Sequence, residues 1–182
     1  DRLGNPHVVW NTVREDVPIV LYYNPVNEVV EEVAPGRFPA HCIDSRGTLH
    51  LVYQRGDRLY CNNNGGGVFA HEFEIRGTPP TIEPGAAIAG TLDGRLVVSY
   101  ADSGSLYLLE GTAEPDFATA TEIDSGGISK ADLRAGRSGG LSLVYVKDGD
   151  VYRVIGSGSA DLDSERVGFG THQGVDEGGE QF

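Results

Sequence analysis

The chain has 182 residues, enough for one domain with a real core, and it is acidic: 27 Asp and Glu against 14 Lys and Arg give a formal net charge of -13. That balance excludes a basic stripe for nucleic-acid phosphates and attraction to an anionic membrane surface, and it favours a soluble, extracellular or virion-surface setting. No run approaches the about 20 apolar residues of a membrane helix, no secretory leader is recognisable, and a chain opening at Asp1 reads as a processed form, a fragment or a sequence without its initiator.

In chain order, the first apolar run is Val17-Pro18-Ile19-Val20-Leu21-Tyr22-Tyr23, followed by the polar turn Asn24-Pro25-Val26-Asn27 and then Val29-Val30. The second is Gly47-Thr48-Leu49-His50-Leu51-Val52-Tyr53, with the turn Gln54-Arg55-Gly56-Asp57 and then Leu59-Tyr60. The third runs Gly94-Arg95-Leu96-Val97-Val98-Ser99-Tyr100, then Asp102-Ser103-Gly104 and Leu106-Tyr107. The fourth runs Gly139-Gly140-Leu141-Ser142-Leu143-Val144-Tyr145, then Lys147-Asp148-Gly149 and Val151-Tyr152. Aligned on Tyr23, Tyr53, Tyr100 and Tyr145, alternate positions form wholly apolar columns: Ile19, Leu49, Leu96, Leu141, and Leu21, Leu51, Val98, Leu143. Period two is the signature of a strand, and Asp, Asn and Gly in the turns supply the positive φ angles of tight hairpins. Intervening columns (Val20, His50, Val97, Ser142 and Tyr22, Val52, Ser99, Val144) are mostly apolar or small, so the strand is covered on both faces.

Small residues precede the hairpins in Pro39–Ile43, Ala86–Gly90 and Ser129–Leu133, and more polar segments follow in Val68–Ile75, Ala118–Ile123 and Glu165–Phe169. Four antiparallel strands per unit, crowded inside and polar outside, predict an all-β fold: a small β-propeller of about four blades, with a β-sandwich as the alternative. The units fall at about 7–37, 38–77, 84–125 and 127–169, followed by a Gly-rich acidic tail at 170–182. Only 30 residues separate Tyr23 from Tyr53, against 47 and 45 for the later intervals, so the first blade is expected to lack its outer strand.

The phrase Ile43-Asp44-Ser45-Arg46-Gly47-Thr48-Leu49-His50-Leu51-Val52-Tyr53 resembles blades of sialidase-like, BNR-type propellers. The likeness spans residues 38 to 169. The Asp box of many such propellers is absent and the lone Trp10 sits outside any such context, so what the resemblance implies is the fold.

Candidate binding residues are Tyr53, Tyr100 and Tyr145, whose rings could stack on sugars but whose alternation with leucines first implies packing between blades. Arg55 and Asp57 flank Gly56 in an Arg-Gly-Asp tripeptide at a hairpin turn, where turn chemistry already explains the residues. Asp161, Asp163 and Glu165 alternate as a cation loop would, yet Arg166 stands where a calcium loop needs Gly. His7, His41, His50, His71 and His172 have no metal-ligand spacing, although His41 and His50 fall on adjoining strands and could approach each other. Cys42 and Cys61 fall on strands two apart in one sheet, beyond disulfide reach. No catalytic motif and no cofactor is expected. The resulting functional expectation is a non-catalytic structural or adhesive module of a larger assembly, such as a phage tail, virion spike or surface appendage. Its partners would be other protein subunits: copies of itself or a neighbouring chain that completes the first blade. The alternatives are a lectin-like glycan binder and a sialidase-like glycoside hydrolase.

Overall fold

The computed structural model describes residues 4–76, 85–112, 117, 120–136, 139–157 and 163–168. Among them there is no helix, and fifteen strands form four antiparallel sheets, each a simple meander. The first sheet holds β1 (Val8–Arg14), β2 (Val17–Asn24) and β3 (Val29–Pro35). The second holds β4 (Arg37–Ile43), β5 (Leu49–Arg55), β6 (Arg58–Asn63) and β7 (Phe73–Arg76). The third holds β8 (Ala87–Gly90), β9 (Leu96–Asp102), β10 (Ser105–Gly111) and β11 (Ala120–Asp124). The fourth holds β12 (Ile128–Ala135), β13 (Leu141–Lys147), β14 (Asp150–Gly156) and β15 (Asp163–Gly168).

These sheets are the blades of a β-propeller. The first stops at three strands because only Gly36 separates β3 from β4, leaving no chain for a fourth. Gly36 is also the one residue that fits there: a Cβ would lie 2.7 Å from the Tyr53 ring. The inner strands β1, β4, β8 and β12 touch in that order, so each blade leans on the next.

The tyrosine register has a direct structural meaning. Tyr53 lies opposite Tyr60, Tyr100 opposite Tyr107 and Tyr145 opposite Tyr152. A spacing of seven places the two rings as cross-strand neighbours on one face, where they stack with centroids 6.2, 5.3 and 5.4 Å apart. The hairpins closing these pairs carry positive φ at Ser103-Gly104 and Asp148-Gly149, the geometry that matches strand twist. The inner turns repeat as well. Asp44 N–H donates to Thr48 O, Thr91 N–H to Arg95 O and Gly136 N–H to Gly140 O, at 3.0, 2.9 and 2.7 Å.

Three apolar clusters fill the three gaps between blades. Val20 and Tyr22 of the first blade meet Leu49, Leu51 and Tyr53 of the second. Val52, Leu59 and Cys61 meet Ile88, Val98 and Tyr100. Val97, Ala101, Leu106 and Leu108 meet Leu133, Leu141, Leu143, Tyr145 and Val154. Each blade therefore has a leading face, turned toward the blade before it, and a trailing face toward the blade after.

Two local expectations differ from the structure. The outer strand expected over Val68–Ile75 begins only at Phe73, because Asn62 captures the His71 N–H and Glu72 turns toward Tyr53 and Arg55. His41 and His50 do not approach: His50 is the cross-strand partner of Cys42 and His41 that of Leu51, so the imidazoles leave opposite faces of the sheet. Cys42 and Cys61 are both free thiols. The expected tail at 170–182 lies outside the described residues.

Candidate functional site

Tyr53, Tyr100 and Tyr145 are buried between blades, so their rings offer no open platform for a sugar. Instead Tyr53 and Tyr145 anchor polar clamps. The Tyr53 hydroxyl donates to Glu72, which also receives the Arg55 guanidinium, while Arg55 lies 4.3 Å from the Tyr60 ring centroid. Burial pushes the Tyr53 phenol up, reinforced by the Glu72 carboxylate. Burial works against the charge of Glu72, but the bonds from Arg55 and Tyr53 outweigh it and hold the carboxyl low. A parallel clamp joins the last two blades. The Tyr145 hydroxyl and the Lys147 ammonium both donate to Asp124, at 2.8 and 2.6 Å. Arg55 is thus committed to Glu72 and to the Pro35 carbonyl, and of the tripeptide only Gly56 and Asp57 stand exposed at the β5–β6 turn.

The second blade also buries an aspartate–histidine pair. Asp44 closes its turn by accepting from the backbone N–H groups of Arg46 and Thr48, and lies 3.2 Å from His50 Nε2. A carboxylate can only accept, so Nε2 carries the proton; His50 Nδ1 is buried without a partner. Burial depresses the His50 pKa despite the Asp44 charge, since a second proton at Nδ1 would be an unpaired buried donor. Burial disfavours the Asp44 charge, yet the bonds it accepts outweigh that and hold its carboxyl low.

On the axial side of the arc, β4, β8 and β12 line an open cleft of about 390 Å³ with small residues (Ala40, Ala87, Ala89) and three polar ones, His41, Asp132 and Arg134. Burial lowers the His41 pKa, and the neighbouring charges of His7 and Arg134 lower it further. Cys42 also lines the cleft, but burial, Cys61 and Asp44 push its thiol up, which suppresses the reactive thiolate. Burial raises the Cys61 thiol to about 12.

The remaining feature is at the two ends of the arc. Register with Ile19, Leu21 and Tyr23 puts Thr12, Trp10 and Val8 of β1 and Val30 of β3 on the leading face of the first blade. Val8 is 48% and Val30 52% exposed, and Trp10, Leu21 and Tyr23 are half-buried. Register with Val144 likewise puts Ser142, Val146, Val151, Arg153 and Ile155 on the trailing face of the fourth blade, with Lys130, Asp132 and Arg134 of β12 along its inner edge. Val144 is 39% and Ile155 40% exposed. Reading the repeats as equivalent copies missed these residues as a group. Their signal was the same apolar column that is buried in every other blade.

Among the described residues no cluster of three or more His, Cys, Asp or Glu could hold a metal ion. Asp161 lies outside the described residues, and Asp163 and Glu165 are placed only as positions on β15.

No family model matches the sequence, and no curated protein matches it. Solved structures do. A quinonprotein alcohol dehydrogenase-like protein from Bacteroides thetaiotaomicron is 12% identical with a TM-score of 0.63, over 89% of this chain and 44% of that one. TolB from Acinetobacter baumannii is 10% identical with a TM-score of 0.58, over 88% of this chain and 40% of that one. The chain therefore spans less than half the length of these similar proteins. At such identities the likeness establishes a β-propeller-type fold and carries no activity with it.

Proposed function

We propose that this chain is a structural β-propeller module that works inside a larger assembly and grips its neighbours through the two end faces of its arc. The observation that carries this reading is the apolar set Val8, Trp10, Leu21, Tyr23 and Val30 on the leading end face, met at the other end by Val144, Val146, Val151 and Ile155 interspersed with Lys130, Asp132, Arg134 and Arg153. A contiguous exposed apolar patch marks an interaction surface, and a half-buried Trp among aliphatic residues is the usual anchor of one. Trp10 is the single Trp of the chain and so reports on its own face. Association should shift its emission to shorter wavelength and cut its quenching by acrylamide as protein concentration rises. Quenching that stays constant from nanomolar to near-millimolar protein would refute the reading.

A second reading, a carbohydrate-binding propeller, is favoured by the axial cleft with its polar rim of His41, Asp132 and Arg134. Titration calorimetry with neutral and acidic oligosaccharides tests it, and abolition of the heat by Arg134→Ala would assign it to the cleft. Sialidase-like hydrolysis, to which the blade phrase points by resemblance alone, is tested by turnover of a chromogenic sialoside.

A further inference from the structure

We propose that the occupant of each end face is a second copy of this chain. The trailing face of one copy's fourth blade seats on the leading face of the other's first blade, and the same contact at the far end closes a ring of eight blades. The inference rests on the assembly reading above and goes beyond it in naming the partner and the stoichiometry.

Equivalent positions in the four blades identify the occupant. Leading-face columns are Ile19, Leu49, Leu96, Leu141; Leu21, Leu51, Val98, Leu143; and Tyr23, Tyr53, Tyr100, Tyr145. In the second, third and fourth blades every one of these residues is buried, and all but Leu96 pack in the clusters that fill the gaps between blades. In the first blade Ile19 is buried, but Leu21 and Tyr23 are left partly open. Trailing-face columns behave in the same way: Val20, His50 and Val97 are 0% exposed, whereas Ser142 is half open, and Val144 is the open member of the next column. The molecule thus shows three times over what covers a leading face, and it carries one unused surface of that kind at its other end.

Polar groups agree. Glu32 lies on the leading face, opposite Leu21 and paired with Arg14 at 2.9 Å, while Lys130, Arg153 and the Arg134–Asp132 pair border the trailing face. The contact is heterologous, so it either closes or propagates. Two arcs of four blades give eight, within the range of closed propellers, and the similar solved proteins have room for a second arc of comparable length.

The test is native mass spectrometry with sedimentation velocity on the 182-residue chain, on Leu21→Asp, on Val144→Asp, and on an equimolar mixture of the two variants. The expected result is a species of twice the 19.4 kDa chain mass for the unaltered protein. Each variant should weaken association at least tenfold, and the mixture should regain a two-chain species, because one of its two interfaces is then unaltered. Far-ultraviolet circular dichroism checks that both variants fold, and Ile155→Lys serves as a second trailing-face probe if Val144→Asp does not. A monomer at all concentrations overturns the proposal, as it would if further blades of a longer polypeptide were the occupant. So does a ladder of increasing masses, which keeps the assembly reading but not the closed pair. Loss of association with Leu21→Asp but not with Val144→Asp or Ile155→Lys also overturns it, since it would mean that two first blades meet face to face. Protection of Trp10 without a two-chain mass separates failure of this proposal from failure of the assembly reading.

Discussion

The inner and end surfaces of the arc share the columns of the second strands, and those columns differ in whether a blade stands beside them. Val52 and Val144 occupy equivalent places on the second strand of their blades, yet Val52 is sealed between two sheets and Val144 faces outward. What distinguishes core from surface here is the presence of a neighbour, as in any quasi-one-dimensional stack. A repeat at the end of such a stack either becomes polar or finds a partner; the first blade keeps its apolar columns, whereas the fourth keeps Val144 and Val146 but carries Asp132, Arg134 and Arg153 where the second blade has Ala40, Cys42 and Cys61.

The comparison is broken most severely by placing a charge in the same column twice. Val52→Asp puts an unpaired carboxylate between the second and third blades, which exceeds the cost of a lost buried methyl by several-fold and should abolish cooperative folding. Val144→Asp should leave the circular dichroism spectrum and the thermal transition of the isolated chain within about 1 kcal/mol of the parent. If both variants unfold, the fourth blade's outer face is already part of a core and the distinction fails. The gentler version is Leu51→Ala against Leu21→Ala. Leu51 is fully buried and its truncation should cost about 2–5 kcal/mol in urea unfolding. The half-open Leu21 should cost well under half of that while the chain is monomeric.

Much of this contrast is hidden in a linear reading. The tyrosine register and the Asp-Gly turns depend on spacing within one hairpin, and the three-stranded first blade on the 30 residues from Tyr23 to Tyr53, so all three can be read along the chain. Trp10 shows what escapes. Nothing in its own neighbourhood marks a site, and its place on an end face follows only from pairing opposite Leu21. The parity of His41 and His50 escaped for the same reason, since the irregular pairing between Arg37 and Ala40 sets which residues of β4 face which way. The Glu72 clamp depends on a loop turning back, which alternation cannot encode. Arg55 and the three tyrosines were visible as residues, but their roles in clamps and stacks needed the third dimension.

Acid should act on the inner surfaces before the end faces. His50 sits in a trailing column between blades, where the exposed fourth blade has Ser142 in the same column. Its folded pKa lies below the ordinary imidazole value of 6.5, so the unfolded chain binds the proton first. Stability is therefore full above about 6.5 and falls as the pH drops from there toward the folded pKa. His41, also lowered by burial, adds to the same window. The depressed carboxyls Asp44, Glu72 and Asp124 act at lower pH: their contribution is present above the ordinary carboxylate range and is lost as pH falls through their folded values. Melting temperature against pH should thus decline in two stages, and His50→Gln should flatten the first. An unchanged slope between pH 7 and 5 in that variant would mean that the imidazole is hydrated, and that the gap between the second and third blades is not sealed as the inner-blade picture requires.

The smallest effect separates free ends from joined ends. Arg14 and Glu32 pair on the leading face with their side chains 65% and 48% exposed, and an ion pair so hydrated is worth about 0–1 kcal/mol. Arg14→Ala should therefore leave the unfolding midpoint of the monomer almost unmoved. Covering that face removes water from both groups and leaves Glu32 without its partner in the variant, unless a cation of the facing trailing surface takes its place. Lys130, Arg134 and Arg153 are the cations positioned along that surface. Arg14→Ala should then weaken association measurably, and the combination with Arg153→Ala should weaken it by more than the product of the two single effects if Glu32 is shared between them. Strict additivity of the two would place Glu32 and Arg153 apart and would shift the register in which the faces meet, without restoring the ends to ordinary surface.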